Sequence, residues 1–184
     1  MKAILSTFLI SIFVFFVSCN KDDDRVLPIS EPNFISTDID LFWEIYNASE
    51  NLSNEDFQTL YINRGTEGLK DYAEQKNLAS GLKSTLSSSP YVNYYNSVQE
   101  NTLDISEAID ISKTAFLELD KIYPNTNFFN VYFLIGAMAA GGRISNNGLL
   151  IAVEMFSKNQ DTDLEQLSEW HQNVLRNKEY LPSI

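Results

Sequence analysis

The 184-residue sequence has few residues of the kinds that most enzyme centres use. It contains one cysteine, Cys19, and one histidine, His171. A single cysteine cannot form an internal disulfide, and one histidine leaves a zinc site to be completed by carboxylates alone. The sequence has no HExxH motif, no nucleophile elbow and no phosphate-binding glycine motif. We therefore expect no catalytic residues, no bound metal and no cofactor in this chain.

Basic residues are also scarce. There are 13 lysines and arginines against 25 aspartates and glutamates, which gives a formal net charge of -12 at pH 7. Such a chain is a poor ligand for nucleic acid, because it has no basic stripe to neutralise phosphates. It is also repelled by anionic lipid headgroups. The twelve Phe, nine Tyr and two Trp nevertheless indicate a chain that folds.

The N-terminus has the plan of a secretory signal peptide over residues 1–18. Lys2 supplies a positive charge, and residues 4–17 form an apolar run broken by Ser6, Thr7 and Ser11. A run of about 14 residues spans only about 21 Å as a helix, which is short for a membrane-crossing anchor. We expect this segment to be removed.

Cys19 is the predicted attachment point for lipid. Phe16, Val17, Ser18 and Cys19 resemble the lipobox of bacterial lipoproteins, in which a small residue precedes the modified cysteine, although Phe16 stands where leucine is usual. The alternative is an ordinary signal peptide cleaved near Ser18, with an incidental cysteine. We expect an acylated Cys19 that holds the protein in a lipid bilayer.

Residues 19–37 are predicted to be a lipidated tether and linker. Residues 20–24 are polar and mostly acidic, and Pro28 and Pro32 follow. Residues 20–24 resemble the export signal of surface lipoproteins in the Bacteroidota, although any tether must be polar. The expected location is the cell envelope, at the outer membrane, on either the cell surface or the periplasmic leaflet.

Residues 38–184 are predicted to form one α+β domain. Helical periodicity dominates up to residue 123, with caps expected at Thr37 or Asp38, at Ser53 or Asn54, and at Asp104. Apolar runs at 128–135 and 149–153 then predict two strands buried on both faces, joined by a glycine-rich connection. The small sheet should span residues 128–155, and a closing helix is expected over 162–177.

Three groups of residues have both a functional and a structural interpretation. His171 on a partly apolar helix favours a structural histidine. Glu154 and the pair Asp161 and Asp163 could act as a catalytic acid and base. A solvated strand end at Glu154 and a helix cap at Asp161 and Asp163 are better supported. Three tyrosines, Tyr91, Tyr94 and Tyr95, share one helical face. This face could be a platform that binds sugar or peptide. We favour the alternative, a core face whose hydroxyl groups reach water.

Several segments resemble the part of zinc-dependent protease lipoproteins of the Bacteroidota that precedes their catalytic helix. They are residues 122–124, 131–136, 141–142 and 148–154. The resemblance extends over most of residues 38–184. In that family a proline segment like 181–184 leads into a helix with HExxH, whose histidines bind zinc. Because this chain stops there, the resemblance implies a truncated relative to which no catalytic residue can be transferred, and zinc only for relatives that carry the motif.

Two functions follow as expectations. The first is a membrane-anchored envelope lipoprotein related to zinc proteases but inactive as given. The second is a noncatalytic binding or assembly lipoprotein, for which gliding-motility lipoproteins of the same phylum offer a looser resemblance. Without a covering helix the apolar strands should be exposed, which predicts self-association or a protein partner that covers the sheet.

Overall fold

The computed structural model describes residues 31–49, 51–124 and 128–176. The signal peptide, the predicted lipidation site Cys19, most of the tether and residues 181–184 lie outside these ranges. The described residues form seven α-helices and four strands, with one π-helical and one 3₁₀ turn. In chain order these are β1 (Phe34–Ile35), α1 (Thr37–Ala48), α2 (Asn54–Asp56), the π-helical turn (Phe57–Ile62), α3 (Glu67–Lys76), α4 (Leu78–Thr85), α5 (Ser89–Leu103), α6 (Ser106–Ile122), β2 (Asn130–Leu134), β3 (Gly142–Ile144), β4 (Gly148–Ala152), the 3₁₀ turn (Val153–Phe156) and α7 (Glu169–Arg176).

The four strands form one mixed sheet in the order β1-β2-β4-β3. β2 runs parallel to β1 and β4, with Val131 opposite both Phe34 and Leu149. β3 returns antiparallel along β4. Most helices precede this sheet and one follows it, so the predicted α+β class is confirmed. β1 lies upstream of residue 38, so the end of the stretch described above as a linker takes part in the sheet.

β2 is the buried centre of the sheet. Val131 and Phe133 are each 2% exposed and Leu134 is fully buried. Since successive side chains of a strand point to opposite faces, both faces of β2 are covered, as its apolar run predicts. The expectation that the apolar strands are exposed is wrong for β2. α1 and α3 pack against this strand. β3, in contrast, is exposed along its length.

Aromatic side chains fill the space between the helices. The ring of Phe42 in α1 lies 5.4 Å from that of Tyr61 and 5.9 Å from that of Tyr95, measured between centroids. Trp43 is also buried, and its Nε1 donates a hydrogen bond to Oγ1 of Thr102, 2.8 Å away. This face of α1 is therefore core, and the indole nitrogen of Trp43 has a hydrogen-bond partner.

The predicted cap at Asp38 is wrong. Ser36 precedes α1, and Asp38 lies in its first turn with 1% exposure. Its carboxylate accepts hydrogen bonds from the backbone N–H of Thr66 at 2.9 Å and from the Thr66 hydroxyl at 2.6 Å. Thr66 in turn caps α3. Burial raises the pKa of Asp38, and its bonds to Thr66 partly oppose that rise. Asp38 thus ties the start of α1 to the start of α3.

A second expected cap is confirmed, and a third is wrong. The Ser53 side chain and Asp56 form a reciprocal capping box at the start of α2. Asp104, in contrast, does not cap α6. Its Oδ1 accepts from the Ser106 hydroxyl, and Ile105 is the residue that precedes the helix.

α6 is the helix expected after Asp104, and it lies at the margin of the core. Its apolar periodicity is strong, yet Ala108 is its only buried residue. Leu119 is 37% exposed and Ile122 is 67% exposed. α6 therefore lies on the surface rather than in the core. Within the described ranges no helix is both long and apolar enough to cross a membrane.

The closing helix is shorter than predicted. α7 begins at Glu169 instead of residue 162, because the preceding segment forms side-chain-stabilised turns. Oδ1 of Asn159 accepts from the N–H of Asp161, and Oδ1 of Asp163 accepts from the N–H of Glu165. Asn and Asp side chains that bind nearby backbone in this way compete with helix formation.

Candidate functional site

The connection between β2 and β3, residues 135–141, is the best-supported candidate site, and we call it the 135–141 loop. Its backbone groups are hydrogen-bonded by side chains from the π-helical turn, the 3₁₀ turn and four different helices. Those side chains are Tyr61, Tyr72, Thr85, Tyr95, Glu154 and His171. Elements that are far apart in the sequence therefore meet at this loop.

Glu154 lies beneath the loop and is fully buried. Its Oε2 accepts from the N–H of Gly136 at 3.0 Å, and its Oε1 accepts from the N–H of Met138 at 3.2 Å. The prediction of a solvated strand end is wrong, because the 3₁₀ turn after β4 keeps the chain inside the core. The carboxylate therefore binds two backbone groups of its own chain.

Burial raises the pKa of Glu154 from 4.5 to about 7. The cause is desolvation, which disfavours the charged carboxylate, while the two loop N–H groups favour it and limit the rise. A pKa near neutrality is typical of catalytic acids and bases, but structural networks also produce it. The position of the group decides between these origins, and here the carboxylate has no exposed surface.

Two buried tyrosines hold the ends of the loop. The Tyr61 hydroxyl donates to the carbonyl of Ile135 at 2.9 Å and lies 3.0 Å from its N–H, which donates to it. The Tyr72 hydroxyl donates to the carbonyl of Ala140 at 2.9 Å. Burial raises the pKa of both hydroxyls, so both remain neutral donors at physiological pH.

Two tyrosines of α5 bind the loop and the turn beneath it. Tyr95 donates to the carbonyl of Gly136 at 2.6 Å, and Tyr94 donates to the carbonyl of Glu154 at 2.7 Å. Both side chains are at most 1% exposed. The core interpretation of this helical face is confirmed, but the expectation that its hydroxyls reach water is wrong. They satisfy buried carbonyls instead.

The loop backbone is closely surrounded. A Cβ added at Gly136 would lie 2.8 Å from the Tyr72 hydroxyl and 2.9 Å from Oε1 of Glu154, so only glycine fits. Met138 adopts a φ of +58°, a conformation that L residues rarely take. The glycine-rich connection between β2 and β4 thus takes positive φ at Met138 and, at +148°, at Gly148.

His171 fixes the loop to α7. Its Nε2 lies 2.9 Å from the carbonyl oxygen of Met138, so this nitrogen carries a proton and donates. Nδ1 lies 2.8 Å from both the Tyr91 hydroxyl and the Ser168 hydroxyl. Both ring nitrogens therefore have partners within the fold.

The Ser168 and His171 pair has the separation of a nucleophile and its base, but its surroundings differ from those of a hydrolase. Oγ of Ser168 also accepts from the N–H of His171, as a helix cap does. Acyl transfer further needs free backbone donors for the developing oxyanion. The N–H groups of Gly136 and Met138 are already bound to Glu154. The pair therefore has no oxyanion site beside it in this loop.

The sequence contains one signal for this site that was not recognised. A tyrosine on a buried helical face must find a partner for its hydroxyl. Tyr61, Tyr72 and Tyr95 sit on such faces, and each hydroxyl binds the 135–141 loop. Burial of several tyrosines thus indicates that a segment of irregular backbone is buried with them.

Asp161 and Asp163 do not join this site. Both are exposed, whereas Glu154 is enclosed. The Asp163 carboxylate stabilises a turn before α7, and Asp161 takes part in the turn before it through its backbone N–H. Across residues 31–49, 51–124 and 128–176, no group of three or more His, Cys, Asp or Glu side chains is placed to hold a metal ion. Comparisons with protein-family models, with curated proteins and with solved structures found no match.

Proposed function

We propose that this chain is a noncatalytic lipoprotein of the cell envelope, in which an acylated Cys19 anchors a rigid binding or assembly domain. The observation that carries the noncatalytic part is the state of Glu154. Its pKa is shifted towards neutrality, as in many enzymes, yet it is fully buried and both oxygens bind the 135–141 loop. A carboxylate held in this way supports backbone and does not meet a substrate.

The lipid anchor is supported by the sequence that surrounds Cys19. An apolar run with one basic residue precedes it, and a small residue stands directly before it. Glu31, the first residue that the structure describes, follows Cys19 by twelve residues. An extended chain of that length reaches at most about 40 Å, so the domain works close to the bilayer surface.

Mass spectrometry of the mature N-terminus tests the anchor. We expect an acylated Cys19 and no residue before it. In a Cys19→Ala variant the protein should move from the membrane fraction to the soluble fraction, while Ser18→Ala, which keeps a small residue before the cysteine, should leave it in the membrane. A Cys19→Ala protein that still fractionates with membrane refutes the anchor.

Incubation with a mixed peptide library, with and without added zinc, tests the noncatalytic proposal. We expect no cleavage by the wild-type protein. Chelator-sensitive cleavage that disappears in Glu154→Gln would contradict the proposal, because it would place Glu154 in a working hydrolytic centre.

The polar segment 20–24 supports an outer-membrane location and display on the cell surface. Digestion of intact cells with an added protease is the test. The wild-type domain should be degraded, and a variant with alanine at residues 21–24 should be protected. Equal protection of both proteins would place the domain on the periplasmic side.

A relative of zinc proteases is the second candidate, and its support is the resemblance of residues 131–136 and 148–154 to that family. Within the structure these residues include most of β2 and all of β4, the parallel centre of the sheet. Sequencing of the genomic DNA beyond the Ile184 codon distinguishes the candidates. An in-frame or frameshifted HExxH there would favour the protease relative, and a DNA sequence without that motif would favour the noncatalytic lipoprotein.

A further inference from the structure

A cavity of about 650 Å³ lies between the end of α1, the end of α4 and the first half of α5. None of the six side chains that bond the 135–141 loop lines it. Its apolar lining consists of Leu52, Phe57, Leu86 and Val92, of which Leu52 and Phe57 are buried. Small-molecule sites commonly have volumes of about 300–1,000 Å³ and combine apolar walls with a few polar groups. The cavity therefore has the size of a ligand site.

The polar lining of the cavity consists mainly of carboxamides and hydroxyls. Asn47 and Asn51 are exposed, and within the described part of the chain their side chains have no hydrogen-bond partner. The Tyr46 hydroxyl donates to Oδ1 of Asn96 at 2.9 Å, which leaves Nδ2 of Asn96 to donate to a ligand. A carboxamide both donates and accepts, and so does a hydroxyl. The lining thus matches a ligand that is rich in hydroxyl groups.

The charge at the cavity does not require a charged ligand. Lys83 is the one charged side chain among the described residues that line it. Hydrogen bonds from Ser53 lower the pKa of the neighbouring Asp56 carboxyl, and the positive charge of Lys83 adds to this effect. Lys83 therefore already has a negative charge of the fold near it, and a ligand need not supply one.

We propose that this cavity binds a neutral sugar. A pyranose ring carries hydroxyl groups around its edge and apolar C–H groups on its faces, so it can meet the carboxamides and the apolar lining at the same time. The hydroxyl groups replace water that solvates Asn47, Asn51 and Asn96 in the free protein. The proposal gives a ligand to the binding domain proposed above, and it rests on that role.

Titration calorimetry of the full-length protein, solubilised in a detergent without a sugar headgroup, tests the proposal. The probes are neutral hexoses and their disaccharides, with glucuronate as the charged comparison. We expect saturable binding of at least one neutral sugar. Asn96→Ala should weaken this binding about tenfold, because it removes a donor to the ligand. Asn93→Ala, which is exposed on the same helix but outside the lining, should leave the affinity unchanged.

Two further variants separate a sugar site from other interpretations. Ser49→Trp places a large side chain at an exposed position of the lining and should abolish binding, while thermal unfolding shows that the variant is folded. Lys83→Gln keeps a donor but removes the charge, so the affinity for a neutral sugar should stay within about twofold.

Three results would overturn the proposal. They are no saturable binding of any neutral sugar, binding that survives both Asn96→Ala and Ser49→Trp, and a preference for glucuronate that Lys83→Gln removes. Acylation of Cys19 and peptide cleavage are measured separately. Failure of sugar binding is therefore distinguishable from failure of the noncatalytic lipoprotein proposal.

Discussion

Burial of Glu154 links the protonation of one carboxyl group to the folding free energy. The pKa is 4.5 for the ordinary side chain and about 7 in the folded protein. Below pH 4.5 the group is protonated in both the folded and the unfolded state. Between these two values the folded state binds more protons, so stability falls as pH rises. Across the whole interval the loss is about 3 kcal/mol.

We therefore expect the free energy of unfolding to decrease between pH 5 and pH 8. Asp38, whose pKa is also raised by burial, contributes in the same direction. In Glu154→Gln the pH dependence should be flatter, since glutamine does not ionise. Urea unfolding followed by the fluorescence of buried Trp43 measures this, with the exposed Glu100→Gln as control. A Glu154→Gln protein with the full wild-type slope would contradict the assignment.

Removal of a buried tyrosine hydroxyl should destabilise the protein by leaving a carbonyl without its donor. Tyr95→Phe removes the donor to Gly136 and should cost about 1–3 kcal/mol. Tyr46→Phe is the matched control, because the Tyr46 hydroxyl bonds Asn96 at an exposed position. Its cost should be about 0.5 kcal/mol, as expected for a bond that water can replace. Equal costs in the two variants would mean that the Tyr95 bond does not secure the loop.

For single residues, the sequence predicts burial more reliably than it predicts hydrogen-bond partners. The tyrosine face of α5 is recognisable from spacing alone. The burial of Glu154 is not recognisable from the sequence, because a glutamate directly after an apolar strand is usually solvated. Its burial depends on N–H groups of Gly136 and Met138, which are 18 and 16 residues away in the sequence.

Among the elements, the 135–141 loop is sensitive to added volume. Gly136→Ala should destabilise the protein by about 1–3 kcal/mol, because its Cβ would press on the Tyr72 hydroxyl and on Glu154. Gly142→Ala is the control, since the nearest atom to its Cβ would be 3.8 Å away. Thermal unfolding of both variants measures the difference. A Gly136→Ala protein as stable as Gly142→Ala would show that the loop has room to move.

Periodicity predicts that elements exist, but not where they pack. α6 has the most regular apolar pattern in the chain, and its helix is confirmed, yet it lies at the surface. A helical pattern shows only that one face is apolar, and that face can be covered by the fold or by another molecule. β1 was missed because two residues carry too little pattern to indicate a strand.

At the scale of the whole molecule, several helices are joined through hydrogen bonds to one segment of backbone. Side chains from α3, α4, α5 and α7 meet at the 135–141 loop, which itself has no regular structure. The sequence does not reveal this arrangement, since each contact joins residues more than thirty positions apart. Loss of the loop contacts should therefore loosen the packing of several helices together.

Amide hydrogen exchange at Gly136 and Met138 tests most directly whether Glu154 serves the fold and not a reaction. If the two N–H groups are permanently bound by Glu154, they should exchange as slowly as the amide of Phe133 in β2, through global unfolding only. In Glu154→Ala both amides should exchange much faster, while that of Phe133 follows the overall stability of the variant. Fast exchange of Gly136 and Met138 in the wild-type protein would show an open loop with free donors, and would contradict a structural role for Glu154.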